Sequence, residues 1–253
     1  MTASHIVSQA LAKRDAGTGA PERPTGFQAV ARAAELLGMF TIDQPRLSLG
    51  EMTERLGVSK ATAHRYATAL RQAGLLRQAD GAYTLGPRVV ELASAALAGL
   101  TVIQVARPHL ERLGAETSQT AVLSVWDGEA PVVVRVHDAA AGRIVRIVPT
   151  TGSRLPRDSA QGLVFGAFMD PADDDPRLRE IRRDRLAHFP DVVEGIAALA
   201  SPVFQGEEIV ATMALVGTGA TIASSPRAAM SRKLLAAAKA LSLELGHVVE
   251  GDK

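Results

Sequence analysis

Residues 47–86 read LSLGEMTERLGVSKATAHRYATALRQAGLLRQADGAYTLG, and this stretch decides the fold. Ser48 stands three residues before Glu51, a capping box in which each side chain satisfies an orphan backbone donor, so a short helix is expected to run to about Leu56. Gly57 stops it. Ser59 can then cap a second helix to about Arg71, with Ala63, Tyr66 or Ala67, and Leu70 on its inner face, and Gly74 supplies the left-handed residue at its end. The two helices meet across the tight Gly57-Val58-Ser59 turn. Beyond Gly74 the period changes: Leu75-Leu76-Arg77 and Tyr83-Thr84-Leu85 read as short strands around Asp80-Gly81, a strong hairpin-turn pair. The expected unit is a winged helix-turn-helix.

A helix of this length fits the major groove, and cationic or hydroxyl-bearing residues at its exposed start reach phosphates and base edges. Ser59, Lys60, Thr62, Ala63, His64, Arg65 and Tyr66 are therefore the expected DNA-binding residues of the helix, joined by Arg77 and Gln78 of the wing. Arg65 or Lys60 is expected on a guanine or a phosphate, and Thr62 and the Ala63 methyl near a phosphate or a thymine methyl. His64 and Tyr66 can add polar contacts, while Arg77 and Gln78 are placed against backbone or minor groove. The competing reading is an ordinary three-helix interaction module with a solvated basic face. Charge sign favours DNA: residues 1–90 hold 11 Lys+Arg against 7 Asp+Glu, whereas residues 91–253 hold 17 against 20.

Upstream, Phe27, Val30, Ala34, Leu37 and Phe40 recur at spacings of three and four and predict a helix over 27–41. Residues 1–24, ending in a Gly/Pro stretch, are expected to be a mobile tail and lack the apolar run of a secretory signal. Downstream, Gly86-Pro87 closes the unit, and Val89, Leu92, Ala96, Leu100, Ile103, Ala106, Leu110 and Leu113 predict one long linker helix. Its apolar face is read either as a dimer seam or as packing within its own domain. Glu91 and Gln104 interrupt that stretch, which falls short of the roughly 20 apolar residues of a membrane span. No membrane partner and a cytoplasmic location are expected.

From Thr120 the pattern mixes strands and helices. Residues 121–126, 132–137 and 143–148 resemble a meander, followed by helices at 160–169 and 177–187. Ala197–Phe204 and Ile209–Val216 make a second hairpin about Gln205-Gly206-Glu207-Glu208, and Pro226 is expected to start a closing helix through Leu245. At 253 residues, 47% hydrophobic and 22% charged, the chain is expected to be an α+β protein of two domains: a tail over 1–24, the winged helix-turn-helix over 25–88, a linker helix over 89–113 and a second domain with an antiparallel sheet over 114–250. Having no cysteine, it carries no disulfide, no thiolate zinc site, no iron–sulfur cluster and no cysteine nucleophile.

The segments Leu47–Met52, Leu56–Arg65 and Tyr83–Gly86, followed by Gly152-Ser153-Arg154-Leu155-Pro156, Ala160-Gln161-Gly162 and Glu194–Phe204, resemble in order and spacing the IclR (isocitrate lyase regulator) family of bacterial transcription factors. The resemblance covers about residues 25–250 and implies a GAF-like second domain that binds a small molecule, in a dimer or dimer of dimers on an operator duplex. It implies a pocket built from Ile147 and Val148, the helix start Ser159-Ala160-Gln161-Gly162, the segment near His188, Ala198, and the last strand at Met213, Ala214 and Val216. A helix start offers backbone N–H groups to an anion, which suits a carboxylate or aromatic metabolite. Leu163 stands where the family commonly has lysine, and Ala214 and Val216 where relatives often carry hydroxyls, so a less polar ligand is expected. The Pro156 loop is one residue short and the Met169–Phe189 connection abbreviated relative to that pattern.

No catalytic constellation is legible: there is no Gly-x-Ser-x-Gly elbow, no His-Glu-x-x-His and no phosphate-binding Gly-x-x-x-x-Gly-Lys. His137-Asp138 and Asp158-Ser159 read as structural pairs, and Asp173-Asp174-Asp175 as a solvated charge run. The arginines of 177–185 alternate with Glu180 and Asp184, as on a solvated helix with local ion pairs. The expectation is a ligand-responsive DNA-binding regulator without catalytic residues, metal or cofactor. The alternative is a small-molecule enzyme or sensor with an appended helix-turn-helix interaction module.

Overall fold

A computed structural model of the chain describes residues 28–139, 147–193, 195–219, 221–222 and 229–248. The expected tail, Phe27, the first part of the third meander strand, Glu194 and Pro226 lie outside the described residues. The chain divides between Gly99 and Leu100 into two compact units.

In the first unit, α1 (Gln28–Gly38) precedes a two-residue strand β1 (Leu47–Ser48), α2 (Leu49–Leu56) and α3 (Lys60–Gln72). The capping box forms: Ser48 Oγ accepts from the Glu51 N–H at 3.2 Å, and Glu51 Oε2 accepts from the Ser48 N–H at 2.7 Å. Those bonds also hold the Glu51 carboxyl below its usual range, the Ser48 backbone N–H contributing most. Gly57, at φ 61°, turns the chain out of α2, and Ser59 Oγ accepts from the Thr62 N–H at 3.3 Å to open α3. The wing is β2 (Leu76–Ala79) and β3 (Ala82–Leu85), in sheet order β1-β3-β2. Asp80 and Gly81 both have positive φ, 51° and 75°, as a two-residue turn matching strand twist requires. Leu36, Leu47, Met52, Leu56, Ala67, Leu70, Leu76 and Tyr83 bury together as this unit's core.

The single linker helix expected through Leu113 is two helices, α4 (Pro87–Gly99) and α5 (Thr101–Thr117). Leu100 between them leaves helical geometry, at φ −96° and ψ 85°. Hydrophobic spacing in the sequence runs on across Gly99 and Leu100, so periodicity alone could not reveal the break.

The second unit is built on a five-stranded antiparallel sheet. Its strands are β4 (Thr120–Trp126), β5 (Pro131–Asp138), β6 (Ala187–Val193), β7 (Ile196–Gln205) and β8 (Glu208–Thr218), in order β5-β4-β8-β7-β6. Successive side chains point to opposite faces. Ala121, Leu123, Leu199, Met213 and Leu215 pack against α5 and α8 (Ala229–Glu244), through Leu110, Leu113, Leu234 and Leu241. Val122, Ala198, Ala200, Ala214 and Val216 form the other face, covered by α6 (Ala160–Met169) and α7 (Pro176–Asp184) through Val164, Ala167, Leu178 and Ile181. Alanines dominate this second face and let the helices approach closely.

Two expectations are corrected here. Residues 147–150 are not in a strand; pairing along β5 comes later, where the Val133 N–H donates to Ser153 O at 2.9 Å and the Leu155 N–H to Pro131 O at 2.8 Å. The charged helix expected through Ala187 stops at Asp184, and Ala187 begins β6. That edge strand, Ala-His-Phe-Pro-Asp-Val-Val, has neither alternation nor freedom from proline, which an edge position tolerates.

Candidate functional site

Exposure sorts α3 into two faces. Ala63, Ala67 and Leu70 are buried, while Lys60, Ala61, His64, Arg65, Arg71 and Gln72 are exposed. Helical spacing puts Ala61, Arg65 and Gln72 on the outer face, with Lys60, His64 and Arg71 along its edge. Among the described residues, neither Lys60 nor Arg65 has an ion-pair partner, so both charges are available to an external polyanion. Ser59 and Thr62 link hydroxyls at 3.0 Å at the helix start.

The Ala63 methyl, expected near a thymine, is fully buried against the unit's interior and faces no groove. Tyr66 is half-buried and packs on the core, leaving its ring a structural part. In the wing, Arg77 and Gln78 are exposed, but Gln78 is engaged: Arg71 Nη1 donates to Gln78 Oε1 at 2.7 Å. Arg71 thus ties recognition helix to wing, a role no spacing signal in the sequence could show. Arg46, ahead of β1, reaches the other end of the hairpin, 3.4 Å from Ala79 O and 3.8 Å from Asp80.

In the second unit the residues named for the ligand pocket do not all converge. Ala160, Ala198, Ala214 and Val216 share the face beneath α6, with Ile147 packed against them. Val148 is exposed. Met213 is one residue out of phase and lies in the core under α5 and α8. His188 pairs with Leu199, a residue of that same opposite face, whereas its neighbour Phe189 pairs with Ala198 and packs beneath α6. Ala187 and Phe189, rather than His188, are the described β6 side chains on the α6 face. Desolvation holds the His188 imidazole below its usual pKa.

The α6 start is closed from inside. Ser159 Oγ accepts from the Gly162 N–H at 3.1 Å, and Gln161 Nε2 donates to Ser124 Oγ at 2.7 Å across the buried sheet face. A Cβ at Gly162 would sit 2.3 Å from Arg157 O, so only glycine lets the preceding loop cross the helix. Trp126 lies beside this turn, its ring 5.4 Å from Phe165 and under the Arg157 guanidinium at 5.5 Å. Two further groups were not singled out in the sequence. Thr120 and Thr212 are buried on the α6 face, and their hydroxyls have no hydrogen-bond partner. Alternation with Val122 and Ala214 could have placed them there, but an isolated threonine in an apolar strand carries no functional signal. Among the described residues no cluster of His, Asp and Glu is arranged to hold a metal ion, and no single helix is long and apolar enough to cross a membrane.

Residues 29–80 match the family model for the IclR helix-turn-helix domain. The HTH-type transcriptional regulator Rv1719 of Mycobacterium tuberculosis is 35% identical over 136 residues, 53% of this chain and 51% of that protein. The chain therefore spans about half the length of that relative. An IclR transcriptional regulator from Alicyclobacillus acidocaldarius shares the fold with a TM-score of 0.70 at 24% identity, over 87% of this chain and 100% of that one. An IclR homologue from Microbacterium hydrocarbonoxydans, solved in complex with 4-hydroxybenzoate, has a TM-score of 0.70 at 23% identity, over 87% of this chain and 99% of its own. The first unit therefore carries the IclR helix-turn-helix domain, and the chain shares the fold of these IclR structures.

Proposed function

We propose that the protein is a sequence-specific DNA-binding transcriptional regulator controlled by a small-molecule effector in its second unit, and that it has no catalytic role. The observation that carries the reading is the solvated surface of Lys60, His64 and Arg65 on a helix whose other face is locked into a core. Such a surface presents cations to phosphates and base edges with the backbone already rigid. The effector site lies between α6 and the Ala198, Ala214 and Val216 face; its walls are apolar, and Thr120 and Thr212 supply the unpaired hydroxyls. A compact ligand with a carboxylate or hydroxyl on an apolar or aromatic body fits that chemistry, in keeping with the 4-hydroxybenzoate bound by the Microbacterium homologue.

The regulator acts as a homodimer or dimer of dimers in the cytoplasm. Support for self-association comes from α4, which buries no residue and exposes Val90, Leu92 and Leu97. An effector that binds the DNA-competent and incompetent states with affinities differing by about 1.4 kcal/mol changes operator occupancy tenfold.

The test is an anisotropy titration of purified protein with DNA from upstream of its own gene, at two salt concentrations, against an unrelated duplex, followed by a genome-wide selection of bound fragments. Selective binding that weakens with salt is expected. Arg65→Ala should cost about 1 to 3 kcal/mol and relax specificity at one base pair if Arg65 reads a base. A selection that returns no enriched sequence overturns the reading.

A further inference from the structure

The second unit holds another cleft, of about 340 Å3, where β7, α8 and the residue that follows α7 meet. One wall is apolar, Pro202 of β7 and Leu235 of α8; the rest is cationic or nitrogenous, with Arg185, Lys239 and His247. Among the described residues no acid lines it. Two acids close to the lining in sequence are engaged elsewhere: Asp184 accepts from Arg183 at 2.7 and 3.0 Å, and Glu244 Oε2 lies 2.7 Å from His109 Nε2. Among the described residues, Arg185 and Lys239 have no ion-pair partner.

The groups are also held in place. Arg185 stands at φ 51°, a conformation that a side chain with a Cβ adopts at a cost, and from it the guanidinium lies 5.2 Å above the Phe204 ring. His247 stacks on the same ring at 5.0 Å, and its Nδ1 donates to Gly206 O at 2.5 Å. Nδ1 is thereby committed, and the remaining ring nitrogen, Nε2, is buried without a hydrogen-bond partner. Ser242 cannot serve it, because its hydroxyl already donates to Ala238 O at 2.8 Å and accepts from the Phe204 N–H at 3.0 Å. A cation held in a left-handed backbone conformation and a second cation without an ion-pair partner among the described residues face one cleft, and both call for a negative charge.

We propose that this cleft is a ligand site for a small organic anion, its carboxylate or phosphate head held by Arg185 and Lys239 and its body laid against Pro202 and Leu235, with His247 beside it as a reporter. The site is independent of the one beneath α6, and the two can be occupied together.

The test uses full-length protein labelled at histidine, with the His247 ring resonances followed by NMR during titration with benzoate, phenyl phosphate and, as a neutral counterpart, benzyl alcohol. Saturable shifts are expected with benzoate, phenyl phosphate or both, which also separates carboxylate from phosphate as the preferred head, and none with benzyl alcohol. The variant Arg185→Gly removes the guanidinium while relieving φ 51°, and Lys239→Gln keeps the helix surface polar. Together they should weaken anion binding at least tenfold with the melting temperature held. Absence of saturable shifts with both anions, an unchanged response in the double variant, or an equal response to benzyl alcohol overturns the proposal. Loss of the His247 response in the Arg185/Lys239 double variant separates this cleft from the site beneath α6.

Discussion

A strand shows its two faces only when the register is known, and single residues here turn on that fact. Ala214 and Val216 were legible as neighbours on one face because they are two apart; Met213, one residue before Ala214, had to face the other way. His188 and Phe189 pose the same choice, but β6 was not legible as a strand, so nothing in the sequence could select between them. The placement of His188 has a measurable effect. Burial lowers its pKa from 6.5, so between that value and the folded-state one the unfolded chain binds more protons, and stability falls as pH falls through the window. Denaturation midpoints of the wild type should therefore decline on acidification below about pH 6.5 and level off beneath the folded pKa. In His188→Asn this component is absent, while losses below about pH 4, where lowered carboxylates such as Asp127 protonate, remain.

Elements were legible where their ends carry local chemistry. Ser48 with Glu51, Ser59, Gly57 and Asp80-Gly81 each specify backbone geometry within four residues, and α2, α3 and the wing stand where those signals put them. Elements defined by distant partners were not legible: the Leu100 break and the pairing of Ser153 and Leu155 with β5 depend on what the chain meets in space. Helix α6 contains both kinds of information in two glycines. A methyl at Gly162 collides with Arg157 O and Pro156 O at 2.3 and 2.6 Å, whereas one at Gly166 makes ordinary contact with Leu178 at 3.9 Å. Gly162→Ala should cost about 1 to 3 kcal/mol through backbone displacement. Gly166→Ala should gain up to about 1 kcal/mol from helix propensity. Opposite shifts in chemical denaturation midpoint check the pair; shifts of the same sign would show that the loop before α6 gives way.

At the scale of the whole molecule, the division of labour was visible in charge: the basic excess lies in residues 1–90 and a slight acidic excess in the remainder. The polar content of the face beneath α6 was less visible, because Ser124, Thr212 and Gln161 come together only when β4, β8 and α6 are assembled. One side chain at that junction gives the two-unit chain a built-in optical reporter. Trp126 is its sole tryptophan, sandwiched by Phe165 and Arg157 at the α6 start, and the DNA-binding unit contains none. Emission excited at the indole band therefore reports the second unit alone. Effector binding beneath α6 should move its intensity or wavelength directly. A duplex bound only by α3 and the wing is silent unless the event reaches the other unit, so any operator-dependent change in this signal is a direct spectroscopic measure of communication between them.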